Sequence, residues 1–178
     1  MLERAGASKS QMYHYFSSKR ALIDAVIAAA EQNVLAGQQP FLGAIDDLEA
    51  LRAWADHVVA INRSSGPELG CPLGTLAAEL CAADPKCREQ LERSFATWRG
   101  QLLDGLTAMR ASGELIAEAD PERLSMAIIA SLQGGLLMAK TTLSIDPIRV
   151  ALDSALAYVE SFRKGGRAQT SAVRARAQ

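Results

Sequence analysis

The side chains of this chain that are best suited to an anionic partner are concentrated near its start. Hydrogen-bond donors are carried there by Ser8, Lys9, Ser10, Gln11, Tyr13, His14 and Lys19. The segment has little to bury except Met12, Tyr15 and Phe16. We therefore expect a short, solvent-facing helix whose polar side chains read a ligand surface.

The distribution of charge supports an anionic partner at this end only. Residues 1–23 have a net charge of +3 and residues 46–160 a net charge of −7, within a chain whose total is −1. The tail from Ser161 is again basic, at +5. A basic head on an acidic body predicts that the head alone faces negative charge.

Helices must position these residues, because the composition favours helices throughout. Aromatic residues make up only 5% of the chain, and no long run alternates β-branched and polar residues. Ser17 or Ser18 can cap a long helix from Lys19, and Asp46 or Asp47 can cap another. Three Asp-Pro pairs predict further helix starts at Asp84-Pro85, Asp120-Pro121 and Asp146-Pro147.

Apolar residues spaced by three and four mark the buried faces of these helices. One stripe comprises Leu91, Phe95, Trp98, Leu102, Leu106 and Met109, and another comprises Ile148, Leu152, Leu156, Val159 and Phe162. The segment GCPLGTLAAELCA predicts a shorter helix after a glycine-rich turn. These patterns predict an all-α fold.

The helix from Leu124 to Leu143 is apolar nearly all round and must be covered on every side. Two interpretations stay open: a central core helix, or a helix that packs with its successor against the same pair in a second subunit. The second predicts a homodimer through helices near 121–143 and 147–164. The run is long enough to span a bilayer, but Gln133 and Lys140 favour a buried helix over a membrane span.

No pattern predicts an enzyme, a cofactor or a metal site. His14 and His57 are the only histidines, the three cysteines form no C-x-x-C pair, and no glycine loop or catalytic triad spacing is evident. The odd cysteine count without a signal peptide predicts a cytoplasmic protein. Cys71 follows Gly70 at a predicted helix start, which leaves redox sensing open beside an inert buried thiol.

The string AGASKSQMYHYFSSKRALIDAVI resembles the DNA-binding segment of the TetR/AcrR family of bacterial transcriptional regulators, in which a helix-turn-helix leads into a long connecting helix. The segments GCPLGTLAAEL and SLQGGLLMAKT resemble, more weakly, parts of that family's ligand-binding and dimerisation domain. The resemblance implies a homodimeric repressor that leaves operator DNA when a small-molecule effector enters its helical body.

Carrying the family's roles onto this chain assigns Ser10 and Gln11 to base reading, since Gln pairs bidentately with adenine. Tyr13, His14 and Lys19 would hold phosphates, and Lys19 lies close to a helix N-terminus that favours anions. Lys9 could serve in either role. Ser8 is placed to cap the reading helix.

Candidates for an effector pocket are less specific. They are the polar, aromatic and thioether side chains that lie on predicted body helices: Trp54, His57, Trp98, Met109, Met126 and Gln133. Each could equally be an ordinary core or surface residue. Gln133 is the most informative, because a buried amide needs a partner.

The domain prediction follows from these parts. Residues 1–20 form a partial DNA-binding head, residues 21–164 a ligand-binding and dimerisation bundle, and residues 165–178 a disordered basic tail. Only MLER precedes Ala5-Gly6, so we expect an N-terminally truncated regulator that binds its operator at least tenfold more weakly than a version extended upstream. The alternative is a dimeric helical ligand-binding protein without independent DNA binding.

Overall fold

A computed structural model describes residues 15–66 and 70–165, and within these residues the fold is entirely helical, as predicted. The named helices are α1 (Lys19–Gly37), a short 3₁₀ helix (Leu42–Ala44), α2 (Leu48–Ser65), α3 (Pro72–Leu80), α4 (Pro85–Ser112), α5 (Pro121–Thr142) and α6 (Asp146–Glu160). The residues predicted to form the head before Tyr15 and the basic tail after Gly165 lie outside the described residues.

Side-chain caps fix most of the helix starts where the sequence placed them. The Ser18 hydroxyl accepts a hydrogen bond from Ala21 N at 3.1 Å, and Asp47 Oδ1 accepts one from Ala50 N at 2.7 Å. Asp84 and Asp120 each accept from two backbone N–H groups of the first turn that follows them. These four caps confirm the predicted starts of α1, α2, α4 and α5.

The third Asp-Pro pair is used differently from the prediction. Asp146 is the first residue of α6 and not its cap, and the preceding Ile145 makes no side-chain capping bond. Instead, the Ser144 hydroxyl accepts a hydrogen bond from Asp146 N at 3.2 Å. The negative charge of the Asp146 carboxylate therefore lies in the first turn of α6, where it interacts favourably with the helix dipole.

The core is built around α4, whose stripe from Leu91 to Met109 is buried apart from the half-buried Phe95. Helices α5 and α6 pack closely because Gly135 has no side chain. A Cβ atom at that position would lie 2.9 Å from the carbonyl oxygen of Pro147. Ion pairs of Arg52 with Glu160 and of Arg149 with Asp56 hold α2 against α6.

Helix α5 is not covered on every side by the described residues of its own chain, which argues against a fully enclosed core helix and leaves the second-subunit interpretation open. Its inner face is buried, whereas Met126, Leu137 and Met138 are exposed. By length and composition α5 could cross a membrane, but 44% of its most apolar window is already buried inside the fold. One face of the helix is therefore used by the core and the opposite face is left open.

The chain after α6 returns to the connection between α4 and α5. Ile116 N donates to Phe162 O at 2.8 Å, and Lys164 N donates to Glu114 O at 2.8 Å. Leu115 and Arg163 thereby form an antiparallel bridge. This pairing fixes the C-terminal end of α6 beside the end of α4.

Candidate functional site

A cavity of about 210 Å³ lies among α1, α2, α3, α4 and α5. Its wall combines aliphatic side chains, one indole and several uncharged polar groups. The lining residues are Asn33, Val34, Gly37, Gln38, Val58, Ile61, Asn62, Ser65, Gly70, Cys71, Pro72, Trp98, Leu132 and Leu136. At about 210 Å³ the cavity is smaller than the roughly 300–1,000 Å³ of pockets for drug-sized ligands, so its size suits only a small organic molecule.

Gln38 organises one wall of the cavity. Its Oε1 accepts hydrogen bonds from Trp54 Nε1 at 2.9 Å and Trp98 Nε1 at 3.1 Å, and its Nε2 donates to Val34 O at 2.9 Å. The amide is buried, and it follows the last residue of α1. Three helices are therefore joined at one polar group, with both indole donors satisfied.

Two further polar groups, Asn62 and Cys71, line the cavity. Asn62 Nδ2 donates to Val58 O at 2.8 Å, within α2. The Cys71 thiol caps α3, accepting from Gly74 N at 3.4 Å, and it also accepts from Gln133 Nε2 at 3.5 Å. Cys71 is buried and free of any disulfide, so it adds a compact polarisable surface to the cavity.

Of the pocket residues predicted from sequence, only Trp98 lines this cavity. Trp54 does not line the cavity but donates a hydrogen bond to the lining residue Gln38. Gln133 likewise lies outside the lining and donates to the lining residue Cys71. His57 Nε2 lies 3.0 Å from Gly37 O, and its ring packs on Phe41 with centroids 4.5 Å apart.

The two methionines predicted for the pocket lie elsewhere. Met109 is buried in the core, and Met126 is 53% exposed on the outer face of α5. The cavity residues that the sequence did not single out include Gln38, Leu132 and Leu136. The sequence pattern could not mark these residues as cavity-lining, because the cavity forms only where five helices converge in the folded chain.

Lys19 is the one predicted DNA contact among the described residues; Ser8, Lys9, Ser10, Gln11, Tyr13 and His14 lie outside them. Lys19 is exposed and is the first residue of α1. The Ser18 cap leaves the neighbouring first-turn N–H groups oriented along the helix axis, which favours an anion. The position of Lys19 thus suits a phosphate contact.

A charged cluster joins the start of α1 to the start of α4. Arg20 Nη1 donates to Asp84 Oδ2 at 2.9 Å and to Cys87 Sγ at 3.4 Å, and Arg20 Nη2 lies 2.7 Å from Asp24 Oδ1. The hydrogen bond to Asp24 raises the pKa of Arg20. Side-chain bonding to Cys87 and the first-turn N–H groups hold the pKa of Asp84 below its ordinary value, and burial raises the pKa of the Cys87 thiol.

The same two helices are joined further along. Gln90 Nε2 donates to Asp24 O at 3.1 Å, and the Ser94 hydroxyl donates to Glu31 Oε2 at 2.7 Å. Helix α1 therefore contacts α4 through polar bonds over much of its length. Its first residues carry the predicted DNA contact Lys19, and its last turn lines the cavity.

An exposed apolar surface runs along α5 and α6. Met126, Leu137, Met138 and Val150 are 53%, 64%, 52% and 63% exposed. Gly134 lies on α5, and a Cβ atom added there would have no neighbouring group within 4 Å. Side chains of this kind, grouped on two adjacent helices, mark a surface suited to another protein.

Comparison with known proteins gives two family matches. Residues 2–26 match the model described as bacterial regulatory proteins of the tetR family. Residues 48–154 match the model for the C-terminal domain of LmrA/YxaF-like transcriptional regulators.

The chain is also similar to individual regulators along most of its length. It is 29% identical over 158 residues to an uncharacterised HTH-type transcriptional regulator in the lacX 3' region of Lactococcus lactis subsp. lactis, covering 86% of this chain and 77% of that protein. It is 29% identical over 150 residues to the transcriptional regulator AcuR of Cereibacter sphaeroides, covering 83% and 68%.

Among solved structures, the chain is similar to a regulatory protein TetR from Rhodobacter sphaeroides. The TM-score is 0.76 at 28% identity, and the match covers 88% of this chain and 84% of that one. The fold comparison and the sequence comparisons therefore both identify transcriptional regulators of the TetR family as similar proteins.

Proposed function

The chain belongs to the TetR family of transcriptional regulators, and we propose that it is a homodimeric repressor released from operator DNA by a small-molecule effector. In this proposal residues 1–20 belong to the DNA-binding head, residues 21–164 form the effector-binding and dimerisation body, and residues 165–178 are a basic tail. The observation that carries the proposal is the position of α1. Its first residues lie within the segment that matches the DNA-binding model, and its last turn lines the cavity.

In this proposal α1 carries the signal from the effector to the DNA. Its 19 residues span roughly 28 Å at the usual helical rise. Filling the cavity changes the space available to Val34, Gly37 and Gln38 at the C-terminal end of the helix. Because α1 is rigid over this length, a shift there also moves Lys19 and the segment before it.

At the DNA, we propose that Ser10 and Gln11 read bases and that Tyr13, His14 and Lys19 hold phosphates. Lys9 would contribute to either role, and Ser8 would cap the reading helix. Supporting this is the exposed position of Lys19 at the capped start of α1. Contacts with phosphate fix the register of the head, while Gln11 supplies sequence preference.

We propose that dimerisation uses α5 and α6, near residues 121–143 and 147–164. The support is the exposed apolar surface of Met126, Leu137, Met138 and Val150. Two copies packed through these helices would bury those side chains in a four-helix interface and set the spacing of the two DNA-binding heads. We propose that the protein works in the cytoplasm, where this interface would account for the apolar outer face of α5.

The proposal is tested by selecting the DNA duplexes that the protein binds from a random pool. The affinity for the enriched duplexes is then measured by mobility-shift titration. Gln11→Ala should cost about 1–3 kcal/mol at one base position and relax the preference there. Lys19→Ala should weaken all duplexes similarly and reduce the slope of log K against log salt by about one. Arg93→Ala removes an exposed charge from the body and should leave both quantities unchanged.

Two results would contradict the division of roles or the function itself. If Gln11→Ala and Lys19→Ala both lower affinity without changing base preference, the assigned roles are wrong. If selection enriches no duplex while the protein dimerises and binds small molecules, the chain is a ligand-binding dimer without DNA binding.

A further inference from the structure

The wall of the cavity restricts the kind of molecule that can enter it. We propose that the effector is an uncharged molecule of about one ring with a short hydroxyl or amide substituent, held by a hydrogen bond to Asn62. This inference rests on the proposed function, because it names the effector class of the same cavity. It follows from volume, from charge and from one unused hydrogen-bond acceptor.

The volume sets the size. A dry, apolar cavity of about 150 Å³ accommodates benzene in another protein. The present cavity, at about 210 Å³, leaves room for a ring and a few more atoms. The cavity is partly open to solvent, so a larger multi-ring molecule would leave part of its surface outside these walls.

The charge of the wall sets the polarity. None of the cavity's lining residues within 15–66 and 70–165 carries a charged side chain. The apolar part comprises Val34, Val58, Ile61, Trp98, Leu132 and Leu136. A carboxylate or an ammonium group entering this site would give up its hydration without gaining a counter-charge, so ionised ligands are disfavoured.

The polar contacts within the wall select the hydrogen-bonding group. Both indole N–H donors are already taken by Gln38 Oε1, and Gln38 Nε2 donates to Val34 O. Asn62 Nδ2 is likewise bonded to Val58 O, but Asn62 Oδ1 accepts from no group among the described residues. An effector with one O–H or N–H donor would complete this half-buried amide.

Tryptophan fluorescence of the full chain gives a direct test. Trp54 and Trp98 are the only tryptophans in the sequence, and both bond to Gln38 at the cavity. Benzyl alcohol, benzoate and benzylammonium are matched in size and can be titrated at pH 7. We expect benzyl alcohol to bind at least tenfold more tightly than either ion. Equal or tighter binding of an ion, or no binding of benzyl alcohol, would overturn the inference.

Variants of Asn62 test the hydrogen bond. Asn62→Leu should weaken benzyl alcohol about three- to tenfold and leave toluene binding unchanged, because only the alcohol donates to Oδ1. Gln32 is an exposed amide on α1 that does not line the cavity, so Gln32→Leu should change neither. Equal losses for alcohol and toluene in Asn62→Leu would contradict the assigned contact.

A variant that introduces a charge remains informative if Asn62→Leu folds poorly. Asn62→Asp places a carboxylate at the same position and should invert the selectivity, so that benzylammonium binds more tightly than benzyl alcohol. Unchanged selectivity in Asn62→Asp would show that position 62 does not contact the ligand and would overturn the inference.

These titrations contain no DNA, so the two proposals fail separately. Neutral probes that bind as expected but do not displace DNA would support the effector class and contradict effector-driven release. Release of DNA by an ion that enters the cavity more tightly than benzyl alcohol would support the regulator and contradict the effector class.

Discussion

At the scale of single residues, the buried side-chain amide of Gln38 joins α1, α2 and α4. One oxygen accepts from two indole N–H groups, which would otherwise be buried without partners. A buried donor without an acceptor loses its hydration and gains nothing in return. The position of both tryptophans beside the cavity therefore depends on this residue.

Replacing Gln38 tests that dependence. Gln38→Leu keeps the approximate volume but leaves two indole donors unsatisfied, and should lower the free energy of unfolding by about 2–5 kcal/mol. Urea denaturation would measure the loss. Gln39→Leu is the matched control, because the Gln39 side chain bonds only at the exposed surface, and it should cost less than about 1 kcal/mol. Equal losses in the two variants would contradict the proposed role of Gln38.

Gly135 provides a second test at the same scale. A methyl group there would meet backbone atoms of Pro147 and Ile148, so Gly135→Ala should destabilise the fold by about 1–3 kcal/mol. Gly100 lies inside α4 with nothing within 4 Å of its Cβ position. Gly100→Ala should instead stabilise by about 0.5–1 kcal/mol, which thermal unfolding would show. Destabilisation by both substitutions would mean that helix packing at Gly135 is not the cause.

At the scale of elements, the polar bonds between α1 and α4 matter most for the proposed signal. They begin at Arg20 and Asp84 and continue to Glu31 and Ser94. Because these bonds tie α1 to α4, a displacement of the cavity end of α1 would act on α4 as well, and α1 would not move independently.

Asp84 makes this contact sensitive to pH. Its pKa lies below the ordinary value of about 3.9, so its charge stabilises the fold above that value, and the stabilisation is lost as pH falls through the lowered pKa. Asp84→Asn retains the helix cap but removes the charge. We expect a lower melting temperature than wild type at pH 7 and a difference that shrinks below about pH 3.

Asp120→Asn is the control for this prediction. Asp120 caps α5 in the same way but has no arginine partner among residues 15–66 and 70–165. Its substitution should change the melting temperature less at pH 7. A pH-independent difference for Asp84→Asn would show that capping, and not charge, supplies the stability.

The helices could be predicted from sequence more fully than the site they form. Periodic apolar stripes and capping residues are local signals, so α1, α2, α4 and α5 begin where Ser18, Asp47, Asp84 and Asp120 predicted. The cavity depends on tertiary convergence, which local patterns do not encode. Gln38 gave no signal because its two partners lie 16 and 60 residues away.

At the scale of the whole molecule, the exposed surface of α5 and α6 is the contact between the two copies in the proposed dimer. Its side chains are apolar and lie on helices whose other faces already belong to the core. A stable interface buries roughly 1,000 Å² or more in total, which two packed helix pairs can supply. Dimerisation would then also fix the geometry of the effector-binding bodies.

Leu137 is the most exposed of the apolar side chains on α5, and it supplies the test of this interface. Leu137→Glu should place like charges opposite each other in the dimer and raise its dissociation constant by at least about tenfold. Sedimentation equilibrium would measure the shift. Phe41→Glu alters an exposed aromatic outside α5 and α6 and should leave the dimer intact. A Leu137→Glu protein that remains as dimeric as wild type would place the interface elsewhere.

The pairing of residues 114–116 with residues 162–164 has a consequence for local unfolding. Because these two backbone segments flank α5 and α6, their hydrogen bonds close the helix pair into a loop whose ends are joined. The two segments cannot separate without breaking the hydrogen bonds that Ile116 N and Lys164 N donate. The amide hydrogens of these two residues should therefore exchange with solvent together, at the rate at which the two segments separate.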